Sequence, residues 1–209
     1  MIRLCKCFFN NAKNPTGILG RYILKFMNGY AHKDLAEWAL RFIGIIDGES
    51  ILDIGCGGGG NLSRFLRRFP NSTVNGVDYS TTAVELSKKN NVKEIERGRC
   101  KILLGDVQRL PFDSNLFDIV TAFETVYYWN DIEKSFQEVF RILKPNGKFT
   151  IVNGADAEGG WTWDSYIDGM RTYTPSELEK ILIQSGFNNV QILRKEDYHF
   201  VCIIAYKLV

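Results

Sequence analysis

The sequence predicts an α/β fold in which a mostly parallel sheet carries helices on both faces. Three observations lead there. Strand-like and helix-like periods alternate along the chain after residue 30. The stretch FDIVTAF at 117–123 is apolar enough to be buried on both faces, as a parallel strand must be. And ILDIGCGGGGN at 51–61 sets a glycine cluster between a strand and the helix after it.

The elements follow in order. Asp34-Leu35-Ala36-Glu37 has the form of a capping box, and Leu35, Trp38, Ala39, Phe42 and Ile46 fall at helical spacing, which predicts a helix over 35–46. Residues 50–54 read as a strand. Leu62, Phe65, Leu66 and Phe69 give a second helix, stopped by Pro70. Residues 73–77 form the next strand, and Ser80 caps a helix over 81–90. Strands at 100–104 and 117–123 follow. Ile132, Phe136, Val139, Phe140 and Leu143 make a helical face, closed by Pro145 and an Asn146-Gly147 turn before a strand at 148–152. Thr174-Pro175-Ser176-Glu177 is a strong helix start, with a stop at Ser185-Gly186. Strands at 190–193 and 199–208 are close enough in sequence to pair as a hairpin.

A length of 209 residues suits one domain with a full core. Lys plus Arg number 26 against 24 Asp plus Glu, and the net charge of +2 gives no reason to expect nucleic acid or a membrane as the main partner. The basic stretch at 88–101 also holds Glu94 and Glu96, and reads as a solvated helix face. Five scattered cysteines and two histidines make no metal-ligand spacing, so no metal is expected. The thiols read as buried small hydrophobes in a reducing compartment, and no signal peptide or membrane span stands out, so a cytoplasmic protein is expected.

The glycines fit two templates. Gly55-x-Gly57-x-x-Gly60 satisfies a dinucleotide fingerprint, and Asp53-x-Gly55-x-Gly57-x-Gly59 a different one. Asp53 separates them: beside a pyrophosphate it would repel, beside a cationic ligand it would attract. S-adenosylmethionine carries a sulfonium and an ammonium and no phosphate. Asp78 at the end of the second strand is placed to accept from ribose hydroxyls, which an NAD site would also want. Asp106 at the end of the third is placed to accept from an adenine amine.

The stretches ILDIGCGGGGN, VNGVDYS, GDVQRLPFDSNLFDIV and RILKPNGKF together resemble the class I S-adenosylmethionine-dependent methyltransferases, of the group that includes the ubiquinone and menaquinone enzymes. The resemblance implies a Rossmann-like three-layer sandwich with seven strands, the last antiparallel. It implies S-adenosylmethionine contacts at Asp53, Gly55, Cys56, Gly57, Gly59, Asp78, Tyr79, Ser80, Asp106, Val107 and Phe123. A catalytic group is needed only where the acceptor must lose a proton, and Glu124, His32 and Tyr128 are the candidates. Glu124 also reads as a turn acid and His32 as a helix-start residue.

Residues 1–34 are expected to form a lid over the cofactor, and 35–209 the methyltransferase domain. A small-molecule acceptor is expected, because the Asp/Asn-Pro-Pro-aromatic signature of nucleic-acid enzymes is replaced here by Phe123-Glu124-Thr125-Val126. Tyr127, Tyr128 and Trp129, with Trp161, Trp163, Tyr166 and Tyr173 among Asp156, Glu158, Asp164 and Asp168, suggest an amine-bearing or aromatic guest. A noncatalytic cofactor-binding module and an NAD-dependent oxidoreductase are the alternative readings.

Overall fold

The computed structural model describes residues 10–11, 13–27, 32–154, 164, 167–195 and 199–208. Seven strands form one sheet in the order β3-β2-β1-β4-β5-β7-β6. They are β1 (Ser50–Ile54), β2 (Thr73–Asp78), β3 (Cys100–Leu104), β4 (Phe117–Phe123), β5 (Leu143–Asn153), β6 (Asn188–Lys195) and β7 (Phe200–Tyr206). The pairs from β3 to β5 are parallel, and β7 runs antiparallel to both its neighbours. The last strand is therefore the antiparallel one, and the terminal hairpin pairs β6 with β7 as its closeness in sequence requires.

The helices are α1 (Gly17–Phe26), α2 (Lys33–Ala39), α3 (Gly60–Arg68), α4 (Thr81–Asn90), α5 (Val92–Glu96), α6 (Ile132–Ile142) and α7 (Pro175–Gln184). On one face of the sheet, Leu35 and Ala39 of α2 and Leu62, Phe65 and Leu66 of α3 pack on Ile51, Val74 and Ile119. On the other, Phe136, Val139 and Ile142 of α6 and Leu178 and Leu182 of α7 pack on Leu52, Val120 and Phe149. Alternate residues of β1 thus enter opposite cores, and Asp53 shares the α3 side with Ile51.

Local chemistry sets several boundaries. The Ser80 side chain accepts from Ala83 N and caps α4. Thr174 and Glu177 form a complete capping box behind Pro175 in α7. Helix α2 is shorter than the predicted 35–46. It begins at Lys33 after His32, without Asp34 acting as a cap, and ends at Ala39. The N–H of Phe42 then bonds Ala39 O three residues back, and Gly44 turns to a φ of +59°, which no helix can follow. Phe42 and Ile46 accordingly end up 42% and 69% exposed. Strand β5 starts at Leu143, earlier than predicted, and its register against β4 shifts between Phe117 and Ile119. The short α5 lies within the 88–101 stretch read as a solvated helix face, and a 3-10 turn at Val126–Tyr128 was not foreseen.

Candidate functional site: a cavity at the carboxyl ends of β1, β2 and β4

In the order β3-β2-β1-β4, the chain leaves β1 with helices on both sides of the switch, and a crevice opens there at the strands' carboxyl ends. It encloses about 1240 Å³ of empty space, its open mouth included.

One wall is the glycine loop. Gly55 N and Cys56 N both donate to Val77 O, at 2.8 and 3.1 Å, which fastens the loop to the end of β2. Gly57 N donates to Asp78 Oδ2 and Ser80 N to Asp78 Oδ1, each at 2.9 Å. An ionised carboxylate offers about four acceptor positions, so Asp78 keeps acceptor capacity for hydroxyls of a ligand. Burial pushes its carboxyl up, opposed by the Ser80 and Gly57 N–H groups.

The glycines divide by task. A Cβ on Gly55 would lie 2.3 Å from Thr125 Cγ2, and one on Gly59 2.4 Å from Ser87 Oγ and 2.5 Å from Asn91 Nδ2. Those two let the protein pack against itself. A Cβ on Gly57 would meet only Leu24, at 3.4 Å, so Gly57 is the position whose bare backbone faces the cavity. Close internal packing therefore explains Gly55 and Gly59, and leaves Gly57 bare toward the cavity.

Gly55, Cys56, Gly57, Asp78, Tyr79, Asp106, Val107 and Phe123 line the cavity. Asp53, Gly59 and Ser80 stand behind the lining. Asp53 is 2% exposed, accepts a 2.7 Å hydrogen bond from the Thr121 hydroxyl, and has its carboxyl pushed up to about 7 by burial, with Asp78 adding repulsion and Arg64 opposing. Ser80 Oγ donates to Pro15 O at 2.7 Å, and the Tyr79 hydroxyl donates to Lys13 O. Both residues thus tie the segment before α1 to the end of β2. Cys56 is a buried thiol whose pKa burial drives up.

The lining also brings together the three acid–base candidates. Glu124 follows β4 with a φ of +57°, uncommon for a residue with a side chain. Its carboxylate accepts from Gly154 N and lies 3.6 Å from His32 Nε2. Tyr128 lines the same space. His32 reaches it from the start of α2, so a helix-start residue is also a site residue. His199 lies outside the lining.

The aromatic expectation is corrected in part. Tyr127 is 4% exposed and belongs to the core, and Trp129 stacks on Phe149 with ring centroids 6.3 Å apart. Tyr173 is also buried, with Arg171 over its ring, and Asp164 accepts from Thr172. Trp161, Trp163, Tyr166, Asp156 and Glu158 lie outside the described residues.

Residues 52–151 match the methyltransferase domain family. An uncharacterized methyltransferase of Bacillus subtilis is 27% identical over 57% of this chain and 64% of its own length. A 2-phytyl-1,4-naphtoquinone methyltransferase of Nostoc is 32% identical over 58% of this chain and 54% of its own. The chain spans less than two thirds of the length of those two relatives. The methyltransferase of Haloferax volcanii, in its complex with the Trm112 activator, shares the fold at a TM-score of 0.79 and 22% identity, covering 91% of this chain and 95% of that one.

The matched segment does not line the cavity alone. Lys13, Pro15, Leu24, Met27 and His32, all N-terminal to it, complete the wall. Only the general expectation of a lid pointed to them; the individual residues carry no motif. Thr125 and Asn130 were likewise missed, being unremarkable loop residues by sequence.

Proposed function

We propose that this chain transfers a methyl group from S-adenosylmethionine to a small-molecule acceptor. One observation carries the reading: a single cavity is lined both by Gly57, Asp78 and Asp106 and by Glu124, His32 and Tyr128. The donor set suits the cofactor, because Asp78 and Asp106 offer acceptors to hydroxyls and an amine, and the buried acids favour positive charge over a pyrophosphate. S-adenosylmethionine supplies a methyl group already activated on a sulfonium, with a neutral thioether as leaving group. The protein's work is then orientation and exclusion of water.

Phe123 and the Glu124 backbone close the end of the cavity where β4 stops. Glu124, held by Gly154 N and facing His32, takes a proton from an O–H or N–H acceptor or complements a charged amine. We infer an amine-bearing or aromatic acceptor, supported by Tyr128, which lines the cavity together with that carboxylate. Residues 1–34 act as the lid, supported by the contacts of Lys13 and Pro15 with Tyr79 and Ser80. A reducing, cytoplasmic setting accords with the free buried thiols Cys56, Cys100 and Cys202.

Calorimetric titration with S-adenosylmethionine, S-adenosylhomocysteine and NAD tests the cofactor. The first two should bind and NAD should not. Asp78→Asn should weaken both by roughly 10- to 150-fold, the loss expected for hydrogen bonds to a charged group. Tighter binding of NAD, or unchanged affinity in the variant, would remove the assignment.

A further inference from the structure

Helix α1 has two apolar faces. The inner one, Gly20, Ile23 and Leu24, is buried, with Leu24 packed on Ala83 and Leu86 of α4. The outer one is open: Ile18 is 78% exposed, Tyr22 69% and Phe26 62%, with Leu19 beside them at 43%. Ile18, Tyr22 and Phe26 are spaced four residues apart and so form one line along the helix. Three large apolar side chains in line on a single ten-residue helix are more than scattered surface hydrophobics.

Charge says what covers them. Residues 1–33 hold six of the 26 Lys and Arg and none of the 24 acids, so 20 basic against 24 acidic residues leave the rest of the chain at −4. The net charge of +2 hides this division. Arg21 and Lys25 lie next to the apolar line and are exposed, Arg21 also bonding Glu85 at 2.9 Å. Apolar side chains flanked by cations match a lipid interface with anionic headgroups. Symmetric pairing of two copies through this face would instead set two acid-free basic segments against each other. No helix among the described residues is long and apolar enough to cross a membrane, so α1 would lie in the interface plane.

We propose that α1 docks the protein on an anionic lipid surface, with Ile18, Tyr22 and Phe26 entering the acyl boundary and Lys25 at the headgroups. The same helix contributes Leu24 and Met27 to the cavity wall, so docking holds the cavity beside the lipid.

Sedimentation with vesicles of phosphatidylcholine, alone or mixed with phosphatidylglycerol, tests this on the full chain. Binding to the anionic vesicles should be about tenfold tighter or more. It should fall as salt rises from about 0.1 M to about 1 M, where the screening length shrinks from roughly 10 to 3 Å. Ile18→Glu with Phe26→Glu should lower it by at least about tenfold, with the thermal midpoint unchanged because both side chains are exposed. Absent or equal binding to the two vesicle types would overturn the proposal, as would wild-type binding by the double variant. A concentration-dependent dimer in light scattering, abolished by the same variant, would also overturn it and assign the face to a second copy.

Discussion

Replacing Asp53 with asparagine isolates a carboxyl group that the fold holds under strain. Burial raises its pKa from an ordinary 3.8 to about 7, while Thr121 donates to it, Asp78 repels it and Arg64 attracts it. The folded protein therefore keeps this proton over a range where the unfolded chain has lost it. The group's contribution to stability is complete below pH 3.8 and is lost as pH rises through about 7. At 1.36 kcal/mol per pKa unit the whole loss is about 4 kcal/mol, of which roughly 2 to 3 falls between pH 5 and pH 8. Asparagine keeps an oxygen for the Thr121 hydroxyl and cannot ionise. Urea unfolding of the apo protein at a series of pH values should show wild type losing about 2 to 3 kcal/mol more than Asp53→Asn over that interval. The variant should then be the more stable protein at pH 8. Asp78, raised by burial in the same direction, is present in both, so only its repulsion with Asp53 differs between them. Parallel stability curves would refute the reasoning, because they would mean that Asp53 is ionised at no such disadvantage.

Two further changes separate packing from chemistry. Gly59→Ala places a methyl group against Ser87 and Asn91 at a φ of +79°, and should destabilise the fold by about 2 to 4 kcal/mol in the same unfolding assay. Gly57→Ala, which meets only Leu24, should cost the fold about 1 to 2 kcal/mol of backbone strain while lowering cofactor affinity in calorimetry. Glu124→Gln keeps an acceptor for Gly154 N but removes the charge facing His32. Methyl transfer should fall by roughly 10²- to 10⁴-fold, with S-adenosylhomocysteine affinity retained. Full activity would return Glu124 to the role of a turn residue.

The sheet was legible because its strands declare themselves twice, by composition and by the turn chemistry at their ends. β1, β3 and β4 fall at 50–54, 100–104 and 117–123, as read from β-rich runs that stop at Gly55, Gly105 and Glu124. The overlong reading of α2 shows the limit of periodicity. Phe42 and Ile46 continue the helical spacing, yet Gly44 breaks the backbone conformation, and Phe42 settles for an edge-on contact with Trp38 at 5.4 Å. A pattern of side chains cannot report that a backbone dihedral has left the helix.

The two sides of the cavity differ in legibility for a related reason. The cofactor side is built from backbone and from acids at strand ends, positions that topology alone fixes, so Asp78 and Asp106 could be placed from spacing. The acceptor side depends on which way neighbouring side chains turn. In the 3-10 turn at Val126–Tyr128, successive residues diverge by about a third of a turn. Tyr127 consequently enters the core while Tyr128 faces the cavity, and their rings meet edge to face at 85°. His32 reaches Glu124 only because α2 begins after it, and Leu24 reaches the wall only because α1 buries its inner face on α4. None of these placements follows from residue type. On the proposed function, acceptor choice rests on Glu124 and Tyr128 together with His32 from outside residues 52–151, and substitution at His32 should change which acceptor is methylated before it changes how the cofactor is held.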